Sequence, residues 1–162
     1  MMKFYEDLTI GERFQLGTHS FTADDIKLFA GQYDPQRFHV DEDAGRASHF
    51  GGLVASGWHT GSIWMRKLVD YNKARIEEAL ARGERIPILG PSPGFRDMKW
   101  HKPVFAGDTI TYAIDVVGKR ESRSRPRFGI VETMAIADNQ HGVRVMSFVS
   151  TTFVEKRGAA EE

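Results

Sequence analysis

The chain has no cysteine among its 162 residues, which removes disulfides, thiolate metal sites and a cysteine nucleophile together. It has no net charge either. Its 22 lysines and arginines balance 22 aspartates and glutamates, so no global field draws it to nucleic acid or to an anionic membrane, and neither is expected as a partner. An anionic ligand must be held by a local patch. No stretch approaches the roughly 20 apolar residues that would span a bilayer. The start, "MMKFYEDLTIGERFQLG", has neither a long apolar run nor a small-residue cleavage site, so a soluble cytoplasmic protein is the expectation. Internal repeats and low-complexity linkers are missing too. What remains is 41% hydrophobic and 27% charged, an ordinary globular composition at the length of one domain. A single domain over 1–155 is expected, with a frayed, flexible tail over 156–162.

The chemistry changes character once, near residue 85, from helix-forming to strand-forming. "ERFQLGTHSF" reads as a short strand with Phe14 and Leu16 on one face. "TADDIKLFAGQYD" reads as a helix: Thr22 can cap it, Asp24 and Asp25 sit where the dipole favours anions, and Ile26, Phe29 and Ala30 form the apolar stripe. Pro35 cannot continue that helix, so Asp34 falls at its end. "DEDAGRAS" suits another short helix. From Ser56 a long helix is predicted, apolar nearly all round at Trp58, Ile63, Trp64, Met65, Leu68 and Val69, hence buried on most sides. Its second part, Asn72 to Arg82, is polar, and Gly83 is a plausible stop. Four strand-like runs follow: "FRDMKWHKPV", "DTITYAIDVVGKR", "RFGIVETMAIADNQ" and "VRVMSFVSTTFVE". "FAGD" is read as the hairpin turn between the first two and "DNQHG" as that between the last two. One buried helix before a run of antiparallel strands is an α+β layout, a sheet wrapped on a central helix.

The stretch "DPQRFHVDEDAGRASHFGGLVASGWHT" fits no clean apolar period. It packs a carboxylate, a proline, a histidine and a double glycine before the long helix, and reads as a busy surface loop or as the floor of an active site. Taken alone, Asp34–Pro35 is an ordinary turn pair, His39 an ordinary structural hydrogen-bonder, and the glycines a tight loop. The pieces "FTADDIKLFAGQYD", "DPQRFHVDEDAG", "FGGLVASGW" and "WHKPVFAGDTI", in that order, together resemble the MaoC-like dehydratase family, the hot-dog-fold group that includes (R)-specific enoyl-CoA hydratases. No single piece is specific, since D-x-x-x-x-H-x-D arises often by chance; four in order are.

The resemblance implies a hot-dog fold and reversible addition of water to a 2-enoyl thioester. Asp34 and His39 match the family's catalytic pair, jointly activating water and protonating the α-carbon. Gly57 matches the glycine at the start of the buried helix, whose N–H would meet the thioester oxygen, with a second donor near Gly52 or Leu53 and Ser56 beside it on the pocket wall. The resemblance also implies an acyl-CoA or acyl-carrier-protein thioester as partner, coenzyme A present only as part of the substrate and no other cofactor. A homodimer, or a dimer of dimers, is implied as well. A hot-dog thioesterase, or a non-catalytic acyl-binding subunit, stays open as an alternative.

The chain departs from the family's usual run: the Asn is absent, Arg37 stands where Pro is expected, and "ASG" replaces "AHG". "KRESRSRPR" places five basic residues in nine positions. It reads as a solvated strand edge or as a phosphate clamp through Arg123 and Arg125. Asp41 is expected to cap "EDAGRAS" and His59 to be a satisfied core or pocket-wall residue. His49, His59, His101 and His141 have no spacing that suits a metal.

Overall fold

The computed structural model describes residues 2–158. A 3-10 turn at Tyr5–Asp7 leads into strand β1 (Arg13–Ser20) and helix α1 (Ala23–Tyr33). Two short helices follow, α2 (Arg37–Val40) and α3 (Glu42–Ala47), then the long helix α4 (Gly57–Ala81) and strands β2 (Phe95–Trp100), β3 (Thr109–Glu121), β4 (Phe128–Asp138) and β5 (Arg144–Glu155). The five strands form one antiparallel sheet in the order β1-β3-β4-β5-β2. The sheet wraps α4, which is the hot-dog arrangement.

The local signals act where the side chains require. Thr22 Oγ1 accepts the Asp25 N–H and opens α1, and Asp41 Oδ1 accepts the Ala44 N–H and opens α3. Gly83, at φ +67°, ends α4 in the left-handed region. Phe14 and Leu16 of β1 point into the core with Ile26, Ile110, Tyr112 and Ile114. Tyr112 is fully buried, and its hydroxyl donates to the Thr60 carbonyl of α4 at 3.3 Å. Trp64 meets Phe148 edge to face at 4.7 Å. At the start of β4 the Tyr5 ring, packed against the core, lies so close to Gly129 that no side chain fits there.

Two expectations are corrected. First, α4 is buried along one stripe only: Trp58, Met65 and Val69 are 55%, 52% and 54% exposed, because the sheet covers one face and α1 touches only part of the other. Second, "FAGD" is a turn, with the Asp108 N–H on the Phe105 carbonyl, but it joins no hairpin. β2 pairs with β5 while β3 lies between β1 and β4, so the connection crosses the sheet end. Of the expected flexible tail over 156–162, only the start is described. The Lys156 N–H bonds the Arg127 carbonyl, and the Arg157 N–H bonds Glu6. The rest of that tail, 159–162, lies outside the described residues.

Candidate active site

Helix α1 stops at Asp34 because Pro35 follows; the Asp34 N–H still bonds the Ala30 carbonyl at 2.9 Å, while its backbone leaves the helical region. The chain turns at once into α2, a short helix with no sequence signal strong enough to predict it, and one turn later His39 points back at Asp34. His39 is buried. Its Nδ1 lies 2.7 Å from the Val54 carbonyl oxygen, which can only accept. Nδ1 therefore carries the hydrogen, and in the neutral ring Nε2 is the lone-pair nitrogen. Nε2 sits 3.4 Å from Asp34 Oδ2.

Two neutral donors hold the Asp34 carboxylate. Ser56 Oγ donates to Oδ2 at 2.7 Å, and Gln36 Nε2 donates to Oδ1 at 2.8 Å. Burial on its own would push this carboxyl up. The Ser56 and Gln36 hydrogen bonds and the neighbouring His39 outweigh it and hold Asp34 below the usual carboxylate range. The site is an ionised carboxylate with the Nε2 of an imidazole 3.4 Å away, a pair that can hold one water and move its protons.

The second half of the site is the start of α4. Residues 53–56 run against the segment after β2, with the Ala55 N–H on the Val104 carbonyl and the Ala106 N–H on the Leu53 carbonyl. Ser56 caps the helix: its Oγ accepts the Trp58 N–H, and its carbonyl accepts from His59 and Thr60. That leaves the Gly57 N–H without a partner among the described residues, at the positive end of the helix dipole. The Trp100 indole, from the end of β2, lies on Gly57. A Cβ added there would stand 2.8 Å from Trp100 Cδ1 and closer still to two other ring atoms. Trp58 meets the same indole edge to face at 5.3 Å.

Asp34, His39, Ser56 and Gly57 thus line one cavity of about 480 Å³, with Trp58 and Trp100 as walls, a size suited to a small-molecule site. Other sequence-predicted residues lie elsewhere. Gly52 packs against the Phe105 ring and Gly45, and neither it nor Leu53 lines this cavity. The second donor expected there is not brought to the site. Arg123 and Arg125 lie in the β3–β4 connection, at the opposite end of the sheet. From Tyr112, which reaches Thr60 beside the site, to Glu121 the strand runs about 30 Å at 3.3 Å per residue. Arg125 instead covers the Phe153 ring at 4.9 Å. Within this chain they form no clamp at the cavity.

Sequence reasoning missed Gln36, Trp100 and Lys102. Lys102 lines the cavity and has no carboxylate partner among the described residues. An amide two positions after the aspartate was the available signal for Gln36; nothing local marks the other two. His59 is buried as expected but is not satisfied. It stacks on Phe29 at 4.4 Å, its Nδ1 has no partner, and burial, then His19, pull it down to about 4. Among the described residues no group of three or more His, Asp or Glu is placed to hold a metal, and no helix is long and apolar enough to cross a membrane.

Comparison with known proteins places these features in a family. A crystal structure of a MaoC-like dehydratase from Rhodospirillum rubrum is 36% identical, covers 97% of this chain and 99% of that one, and superposes with a TM-score of 0.79. An uncharacterized protein of Bacillus subtilis, YdeM, is 33% identical over 140 residues, 86% of this chain and 90% of that protein. An (R)-specific enoyl-CoA hydratase, also from R. rubrum, is 26% identical over 159 residues, 98% of this chain and 96% of that one. The model of the MaoC-like domain matches residues 7–139, and the chain belongs to the MaoC-like domain family.

Proposed function

We propose that this protein is a hydro-lyase that adds water reversibly to a 2-enoyl thioester, giving the (R)-3-hydroxyacyl thioester. The observation that carries the reading is a single constellation: the ionised Asp34, the His39 Nε2 3.4 Å away, and the open Gly57 N–H on the same cavity. In the forward direction a water between Asp34 and His39 gives its hydroxyl to the β-carbon and a proton to the pair. The electrons move into the thioester carbonyl, whose growing negative charge meets the Gly57 N–H. The pair then returns a proton to the α-carbon from the same face, so every proton is accounted for and no cofactor is consumed. The hydratase named among the relatives agrees with this chemistry.

The acyl group arrives on coenzyme A or on a carrier protein, and Lys102 is the cation at the cavity wall suited to the carrier's phosphate or to a polar acyl tail. The functional unit is a homodimer. β2 is an edge strand with Phe95 and Trp100 exposed, and the open stripe of α4 abuts it through the Trp58–Trp100 contact. Pairing two β2 edges antiparallel brings the second copy's hairpin, with Arg123 and Arg125, to the same end as this chain's cavity. The basic loop would then flank the site in trans.

The test is loss of enoyl-thioester absorbance with crotonyl-CoA. Wild type should hydrate it, and Asp34→Asn should be slower by about 10²–10⁴-fold. Release of free thiol in place of hydration, or full activity in Asp34→Asn, would overturn the reading.

A further inference from the structure

The residue before Gly57 does more than cap a helix. Ser56 is 1% exposed, and its one hydroxyl makes two bonds of fixed direction. Oγ accepts the Trp58 N–H at 3.2 Å, so its own proton points away from the helix, to Asp34 Oδ2 at 2.7 Å. That is the same carboxylate oxygen that faces His39 Nε2 at 3.4 Å. One side chain therefore links the first turn of α4 to the catalytic pair. Because Gly57 is the next residue, it also fixes the spacing between the general base and the open N–H. The sequence gives no hint of this: serine in "ASG" reads only as pocket wall.

We infer that Ser56 is a positioning residue, aiming the Asp34 carboxylate at the water site and setting its acidity through a directed hydrogen-bond relay from the helix N-terminus. The inference rests on the hydro-lyase reading for its kinetic consequence but not for its structural one. The relay is polarised: a helix N–H makes Ser56 Oγ–H a better donor, and a donor to the ionised form favours that form. Gln36 supplies the other oxygen with a donor but, two residues away on a loop, holds no tie to α4. The charged and titratable groups that face Asp34 are few. His39 comes from α2; His101 and Lys102 lie across the cavity. Among the described residues no second carboxylate lines the cavity to blur the titration.

Ser56→Ala removes both bonds; Ser56→Gly removes the hydroxyl while keeping a tolerated N-cap; Ser56→Thr restores it. Two measurements read the result: the pH profile of kcat with crotonyl-CoA, and the titration of the Asp34 carboxyl by carbon-13 NMR. With Ala and Gly the carboxyl should titrate at higher pH. The acid limb of the profile should move the same way, because the base must be ionised. kcat should fall about ten- to hundredfold through misplacement, with KM little changed, and Thr should recover most of both. A merely structural cap would lower stability and leave the carboxyl titration where it was, and that result overturns the inference. If wild type shows no hydration, the hydro-lyase reading fails, and the NMR titration still decides the role of Ser56.

Discussion

Gly57 carries two explanations that one methyl group can separate. In the packing explanation it is glycine because the Trp100 indole occupies the space of a side chain; in the chemical one, because a thioester must approach the helix end. Gly57→Ala places a Cβ 2.8 Å or less from the ring, so the indole must retreat by about 1 Å to reach ordinary contact. Trp100 is half exposed on an edge strand and can swing, which keeps the strain near the low end of the roughly 1–3 kcal/mol that overpacking costs. The swing forfeits the edge-to-face contact with Trp58 at 5.3 Å, about 0.5–1.5 kcal/mol. Alanine's better helix propensity returns up to about 1 kcal/mol. The balance is a loss of about 1–2 kcal/mol, a fall in Tm of roughly 2–8 °C for a chain of this size. Scanning calorimetry and crotonyl-CoA hydration should then be run on Gly57→Ala, Trp100→Ala and the double variant. The double should regain the stability of Trp100→Ala, since the clash is gone, while hydration stays depressed about 10²-fold if the methyl stands in the thioester's path. Hydration restored in the double variant would refute the close approach to Gly57, and an unshifted Tm in Gly57→Ala would refute the clash.

Two stability predictions follow from buried titratable groups. His59 has its folded value lowered to about 4 from an ordinary 6.5, chiefly by burial. Between those values the unfolded chain holds a proton that the native state refuses, so stability falls as pH drops through that window. At pH 4.5 this one residue costs roughly 2.5 kcal/mol relative to pH 7. Urea unfolding of His59→Phe at both pH values should show an acid loss smaller by about that amount, and an identical loss would contradict the burial argument. Glu155, 1% exposed, would be pushed up by burial. The Ile88 N–H, Arg127 and Arg85 outweigh that and hold it below the carboxylate range. Its contribution is present above the ordinary glutamate value and lost as pH falls through the depressed folded one. Glu155→Gln should cost about 2–3 kcal/mol at pH 7, below the range for fully buried pairs because both arginines are partly exposed. A loss under about 0.5 kcal/mol in urea unfolding, the range of an ordinary surface change, would refute it.

Most elements were legible because their signals are local. Thr22, Asp41, Pro35 and Gly83 act within a turn of themselves, and β-branched alternation marks the strands. What was not legible depends on residues far apart in the chain. Whether "FAGD" closes a hairpin is decided by β5 taking β2 as its partner, and no residue near 105–108 records that. The exposed stripe of α4 has the same cause, since an all-round apolar helix looks alike whether its second face meets this chain or another copy. Arg123 and Arg125 lie away from this chain's own cavity for a third reason. Charge density along a sequence says nothing of which end of a 13-residue strand it occupies.

Asp34 and His39 were found through the resemblance to the family, but a matching spacing does not make a site. The pair is assembled because α1 is stopped by Pro35, α2 swings His39 back, and the Val54 carbonyl fixes the ring's tautomer. The chain lacks the family's Asn and the His of "AHG", yet each oxygen of Asp34 has a donor: Gln36 on one and Ser56 on the other. A half-buried carboxylate needs that, since leaving one oxygen bare would raise its pKa toward the operating range and weaken it as an ionised base. The requirement is on donors at two positions in space, not on residue types at two positions in sequence. In this chain Gln36 and Ser56 meet it without the Asn and His of the family's usual run.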